Sequence, residues 1–250
     1  AVAPEADILL VMAPHRLAPA AVFAIDQFLM RGGTVVLATS PYTAELSAGE
    51  LNLRDWDSGL QDWLTHHGIT VGESLLLDER NAPFPAPVAR RTGEYEFRDV
   101  QMIDYPYFLD LRGRGLAPGH PVTAALPQVT MAGASPIEVQ PAEGRRTSTL
   151  LRSSRRAWLS TRMDLMPRAE GDDESATAEA RGVHPVGVVV QGRFNSWFAD
   201  RELPAGATGG EDAAGTGEIS TLLERSPESA RIVLFSSNDF LDDQVLKAAM

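Results

Sequence analysis

The sequence predicts an α/β protein with a parallel-sheet, Rossmann-like or amidotransferase-like three-layer core and an inserted β-rich subdomain. Three observations predict it. Residues 7–39 spell a strand (DILLVMA), an amphipathic segment and a second strand (TVVLAT). Both strands are nearly continuous apolar runs, the mark of strands covered on both faces. The same pattern returns near the end of the chain as ARIVLFSS, residues 230–237.

The first unit has clear local causes. Val22, Ile25, Phe28 and Leu29 recur at helical spacing and make one apolar stripe, with Asp26, Gln27 and Arg31 toward the other side. Pro19 suits a first-turn position because its missing N–H would be unpaired there, and Gly32 suits the helix end. A polar loop is expected over 40–54, then a helix over 55–67 with Trp56, Leu60, Trp63 and Leu64 as its stripe. Gly68 closes that helix, and the strands Ile69–Val71 and Ser74–Asp78 follow. Residues 80–88 carry prolines at 83, 85 and 87, so this stretch is expected to be extended with little regular pairing.

From Phe97 onward short strands take over: DVQMI, YFLDL, QVTMA, PIEV and TSTLLRSS, with a short helical piece over 122–126. Loops are expected over 168–183 and 203–217, flanking the strand PVGVVVQGRF, and a helix over 239–250. These shifts divide the chain into an α/β core at 1–96, a β-rich insertion at 97–160 and a return to the core at 161–250.

Composition excludes several classes. The 250 residues carry 22 basic against 34 acidic side chains, net −12, which disfavours a nucleic-acid partner because nothing offsets phosphate repulsion. No apolar stretch approaches the roughly 20 residues that cross a bilayer. The chain opens without Met, close to its first strand, and reads as an excised fragment, cut short of something such as a membrane anchor. It has no cysteine, so the nucleophilic Cys that amidotransferase-like sheets use on a strand-to-helix turn is missing. Neither G-x-S-x-G, G-x-G-x-x-G nor a P-loop is present, and no HxxxH or HExxH pattern suggests zinc. No cofactor or metal is expected, and any ATP hydrolysis must belong to another subunit.

In an open parallel sheet, ligands sit beyond the carboxyl ends of the strands. The ligand candidates are therefore Pro14 and His15, Ser40 and Tyr42, and Ser236, Ser237, Asn238 and Asp239. Asp239 reads two ways: as a carboxylate in the crevice, or with Asn238 as a helix cap reinforced by Asp242 and Asp243. His15 could titrate near neutrality but has no partner identifiable from spacing. A hydrolase would need His15 and Asp239 within hydrogen-bond reach. A carbohydrate-binding module would instead expose Trp56, Trp197 or Tyr42 on a shallow groove. Arg145, Arg146, Arg152, Arg155 and Arg156, with Arg162, form a basic cluster in an acidic chain. It is either an anion or partner face or a solvated strand edge.

Five stretches in order, Asp26–Gly33, Asn81–Pro85, His120–Thr123, Phe194–Phe198 and Arg231–Phe240, resemble the GldG-like auxiliary component of gliding-motility-type ABC transporters over almost the whole chain. The resemblance implies a non-catalytic extracytoplasmic domain on the periplasmic side of a bacterial inner membrane, anchored by segments outside this chain. It also implies an ABC permease and ATPase as partners. Where such proteins often carry Gly-Asp before the last Ser-Asp-Phe-like segment, this chain has Ser236-Ser237.

Overall fold

In a computed structural model the described residues are 2–3, 5–47, 50–92, 95–163, 165, 181–205 and 222–239. They form β1 (Ile8–Met12), α1 (Pro19–Met30), β2 (Thr34–Ala38), β3 (Tyr42–Ser47), β4 (Glu50–Asp55), α2 (Gln61–His66), β5 (Ile69–Val71), β6 (Leu75–Leu77), β7 (Phe84–Thr92) and β8 (Tyr95–Ile103). The chain continues with β9 (Phe108–Arg112), β10 (Gln128–Ala132), β11 (Ile137–Val139), β12 (Arg145–Arg152), β13 (Trp158–Ser160), β14 (Pro185–Gly192) and β15 (Arg231–Phe235). The helix expected at 239–250 and, apart from their ends, the loops expected at 168–183 and 203–217 lie outside the described residues.

The expected Rossmann-like or amidotransferase-like parallel core is not what these elements build. The protein is β-rich, and most of its pairings are antiparallel and confined to small sheets. Among the described residues, parallel pairing is limited to β1 with β2 and β2 with β15; β14 and β12 then add antiparallel, giving the order β1-β2-β15-β14-β12. Two-stranded sheets accompany this one: β3-β4, β5-β11, β6-β13, β7-β8 and β9-β10. The physical reason lies in the connections. A parallel sheet needs a crossover of a dozen or more residues, usually a helix, between successive strands. Among the described residues, the link between β1 and β2 supplies such a helix, while Gly and Pro punctuate most of the others.

Each face of the main sheet has its own core. On one face Val35, Leu37, Val188, Val190, Ile232 and Leu234 pack against Phe28 and Leu29 of α1 and Trp63 of α2. On the other, Val36, Val189 and Val233 meet Leu76, Leu109, Leu111 and Met131. This second face is covered by strands, where a doubly wound fold would place helices. Full burial of each such side chain stabilises by about 1.5–3 kcal/mol.

Local departures from expectation have identifiable causes. The segment expected as a loop over 40–54 is the β3-β4 hairpin, with Tyr42, Ala44 and Leu53 packed on Leu75, Leu77 and Trp158. The expected helix at 55–67 is only α2, because Gly59 takes φ +75° and the Asp57 and Ser58 side chains accept from the Gly59 and Leu60 amides. The proline-rich stretch is extended, yet β7 pairs with β8 throughout. In a two-stranded ribbon both strands are edges, so prolines at alternate positions 85 and 87 turn their missing donors to the unpaired side. The piece at 122–126 is a turn held by the Thr123 and Ala124 amides on the His120 carbonyl. No helix among the described residues is long and apolar enough to cross a membrane.

His67, at the end of α2, gives the fold a pH dependence. Its ring is buried against Trp63 and Phe194, with centroids at 4.4 and 5.4 Å, and neither ring nitrogen has a hydrogen-bond partner among the described residues. Burial, then the neighbouring His66 and Arg145, hold its pKa well below the ordinary 6.5. The unfolded chain therefore takes up a proton that the folded chain refuses. This favourable contribution is whole above about pH 6.5 and is lost at about 1.4 kcal/mol per pH unit as pH falls below it. Burial shifts His184 in the same direction. Urea unfolding from pH 7.5 to 5 should show this slope, and His67→Phe should retain only the smaller part due to His184. An unchanged slope in that variant would refute the assignment.

Candidate functional site

The carboxyl ends of β1, β2 and β15 do meet, but their polar groups are largely spent on one another. Asn238 donates to the carbonyls of Ser40 (2.8 Å) and Tyr42 (2.7 Å), and its Oδ1 accepts from the Ser40 amide. Ser40 Oγ lies 3.1 Å from Ser135 Oγ, Ser236 Oγ donates to the carbonyl of Ser135, and Ser237 Oγ donates to that of Ala132. Asp239 is buried and accepts from Thr43 Oγ1 (2.6 Å) and the Ala44 amide (3.0 Å), which ties β3 to the end of β15. Tyr42 donates its hydroxyl to the Glu73 carbonyl; burial, Asp55 and Glu73 raise its pKa.

Pro14 and His15 are placed apart from this network. Pro14 is buried and its carbonyl accepts from Trp56 Nε1, while the exposed His15 ring stacks on Trp56 at 4.4 Å. His15 and Asp239 do not hydrogen-bond each other. Among the described residues, no group of three or more His, Cys, Asp or Glu side chains is arranged to hold a metal ion.

The basic cluster is divided by its surroundings. Arg145 is anchored: it donates to the carbonyls of His67 (2.8 Å) and Arg193 (3.0 Å) and lies 4.5 Å over Phe194, and burial lowers its pKa. Arg152 donates to the Arg114 carbonyl, and Arg156 pairs with Glu79 at 3.0 Å, a carboxylate that also holds Arg181. Arg146 and Arg155 are exposed. Arg162 is half-buried, with its amide donating to Ser160 Oγ. Arg145, Arg146 and Arg152 all lie on β12, an edge strand of the main sheet.

A different place offers uncommitted chemistry. A cleft of about 470 Å³ opens beside the start of α1, floored by Leu17, Val22, Trp63 and Phe198 and walled by Trp197. Asp62, Arg201 and Glu202 stand at its rim and form no ion pair among the described residues. The Arg201 guanidinium lies 3.5 Å over the Trp197 ring, and the edge of His66 meets the same indole at 5.2 Å. His66 Nε2 is 3.1 Å from the Asn195 carbonyl, which assigns the proton to Nε2.

One buried carboxylate positions this wall. Asp26 and Gln27, expected on the outer side of α1, are fully buried. Asp26 accepts from Trp63 Nε1 (3.1 Å), Ser196 Oγ (2.6 Å), the Trp197 amide (3.0 Å) and Gln27 Nε2 (3.1 Å). Gln27 in turn pairs with both backbone groups of Leu223. The helical stripe cannot reveal this, because periodicity ranks apolar residues only. The pairing joins Asp26–Gly33 to Phe194–Phe198, so two stretches distant in sequence are one physical unit.

Of the cleft residues, sequence reasoning names Trp197 as a stacking surface and Trp63 as core, and it misses Leu17, Asp62, Arg201 and Glu202. Only the Trp-Phe pair at 197–198 signals the place. A family model described as ABC-type uncharacterized transport system, auxiliary component, matches residues 1–250. Comparison with curated proteins gives no match.

Proposed function

The chain belongs to the family of auxiliary components of ABC-type transport systems, and from that membership we propose that it is a non-catalytic, extracytoplasmic binding domain of such a system. It is GldG-like, of the gliding-motility type. It stands on the periplasmic side of the inner membrane, held by segments outside residues 1–250, and touches an ABC permease whose ATPase supplies the energy.

The observation that carries the reading is the cleft. Its aromatic floor and wall are held from behind by Asp26 and capped by the Arg201 guanidinium over Trp197, while the carboxylates of Asp62 and Glu202 remain available in front. A rigid aromatic anchor ringed by polar groups is what a binding surface requires. The crevice at the strand ends offers less, since the hydroxyl and carboxylate groups of Ser40, Ser236, Ser237 and Asp239 already hold neighbouring strands together.

Photocrosslinkers placed at Asp62 and Glu202 of the full-length protein in native membranes should capture the permease. Trp197→Ala should weaken that capture by roughly 10- to 30-fold, the usual loss at an aromatic anchor. The fold should survive, because Asp26 holds the backbone amide of residue 197 and not its ring. Recovery of no transporter subunit from a folded protein would overturn the proposal. The aromatic wall also favours a second reading, a carbohydrate-binding surface, since sugar rings stack on indoles between charged groups. Glycan binding that Trp197→Ala abolishes would establish it, and a silent glycan array would remove it.

A further inference from the structure

We infer that β1 is a homotypic docking edge: two copies of this chain join through antiparallel pairing of their Ile8–Met12 strands about a twofold axis at Leu10. Among the described residues β1 is the outermost strand of the main sheet. The Asp7 carbonyl accepts from Thr34 and the Ala13 amide donates to Ala38, so Leu9 and Val11 also turn their backbone groups toward β2. By the same alternation, the N–H and C=O groups of Ile8, Leu10 and Met12 point to the open edge.

Their side chains share one face, opposite the face on which Leu9 and Val11 pack with α1. On that face Ile8, Leu10 and Met12 are 58%, 64% and 40% exposed. Such a row on an unpaired edge is an association template.

The row is self-complementary. Pairing centred on Leu10 sets Leu10 against its own copy and Ile8 against Met12, and every outward N–H and C=O of these residues then meets a partner. The flanks complement each other in charge: exposed Glu5 and Asp7 lead into the strand and exposed Arg16 follows it, so antiparallel pairing sets the acidic end of one copy toward the basic end of the other. A twofold contact of this kind closes on itself and does not propagate.

The other edge of the same sheet is protected. β12 carries Arg145, Arg146 and Arg152 and has irregular register at Thr149–Arg152, the usual devices against edge pairing. β1 has neither charge, proline nor bulge. A strand this short buries less than the roughly 1,200 Å² of a stable interface, so the dimer should be weak and concentration-dependent.

Sedimentation equilibrium of the 250-residue chain should show reversible monomer–dimer exchange in the micromolar range. Leu10→Lys and Leu10→Glu should each weaken it at least tenfold, and an equimolar mixture of the two should associate again. Leu10 is exposed, so both variants should keep the native melting temperature. A native chain that stays monomeric while its Ile8, Leu10 and Met12 amides resist exchange would show another segment covering the edge and would overturn the inference. So would a monomer with unprotected amides, a dimer indifferent to Leu10→Lys, or a mixture that fails to associate.

Discussion

Asp26→Ala should lower the unfolding free energy by roughly 3–5 kcal/mol, the scale expected when a fully buried carboxylate is removed from donors that cannot reach water. The substitution leaves Trp63 Nε1–H, Ser196 Oγ–H and the Trp197 amide without their common acceptor. Asp26→Asn tests the chemistry more finely. Its amide nitrogen cannot accept, so one pair of donors must lose a partner. Oδ1 serves Trp63 and the Trp197 amide, neither of which can reverse its role, whereas Oδ2 serves Ser196 and Gln27. Asparagine will therefore turn its nitrogen toward Ser196, whose hydroxyl can rotate to accept, and the cost should fall to about 1–2 kcal/mol. Ser196→Ala should cost about 1 kcal/mol. Denaturant unfolding of the three variants checks this order, and Asp26→Ala costing no more than Ser196→Ala would show that the carboxylate is not the hub. Intrinsic fluorescence gives a second readout, because Trp63 and Trp197 both lose their fixed environment when Asp26 is removed.

The opening unit is legible because its information is local. The apolar run of β1, Pro19 at the first turn of α1 and the Gly32-Gly33 stop each act within a few residues, and β1, α1 and β2 form where the sequence places them. Extending that unit into a parallel sheet requires helices between later strands. A short apolar run such as VGVVVQG reads the same whether its neighbours run with it or against it. β14 is buried on both faces like a parallel strand, yet both of its partners are antiparallel. Strand direction is set by the length and path of the connections, and these leave little trace in the strands themselves.

The cleft is less legible than the fold for a related reason. Its residues come from Leu17, α1, Gly59, α2 and the 197–202 segment, and no spacing rule connects them. The crevice at the strand ends follows from a rule about open parallel sheets, whereas here β1, β2 and β15 alone run parallel among the described strands. Asn238 and Asp239 read as crevice or cap residues because the β3-β4 hairpin, which supplies the backbone they hold, reads as a loop in the sequence. Asp26 is hidden by its position: a carboxylate on a helix is normally solvated, and only the three-dimensional approach of Trp63, Ser196 and Trp197 makes its burial sustainable.

Gly192→Ala should destabilise the protein by roughly 3–4 kcal/mol, because a backbone conformation and a steric limit fail together. Gly192 ends β14 at φ +140°, a conformation that L side chains rarely adopt. A Cβ there would stand 2.1 Å from the Gly144 carbonyl oxygen and 2.9 Å from the Arg145 Cα, both backbone atoms with no side chain to swing aside. The site is also crowded by pairing: the Gly192 amide donates to the Ala230 carbonyl at 3.1 Å, and Arg145 faces Gly192 across the β12-β14 ladder. Relief of the clash must therefore move the start of β12 away from β14. Arg145 would move with it and release the His67 carbonyl and the Phe194 face, so the loss should extend from the sheet edge to the end of α2. Gly113→Ala separates the two causes. Gly113 has φ +55°, but none of the described atoms lies within 4 Å of the point an alanine Cβ would occupy, so only the backbone penalty of about 1–2 kcal/mol applies. Equal losses in the two variants, measured by urea unfolding at pH 7.5, would refute the steric argument at Gly192. A loss at Gly192 at least about 1 kcal/mol larger is the expected result.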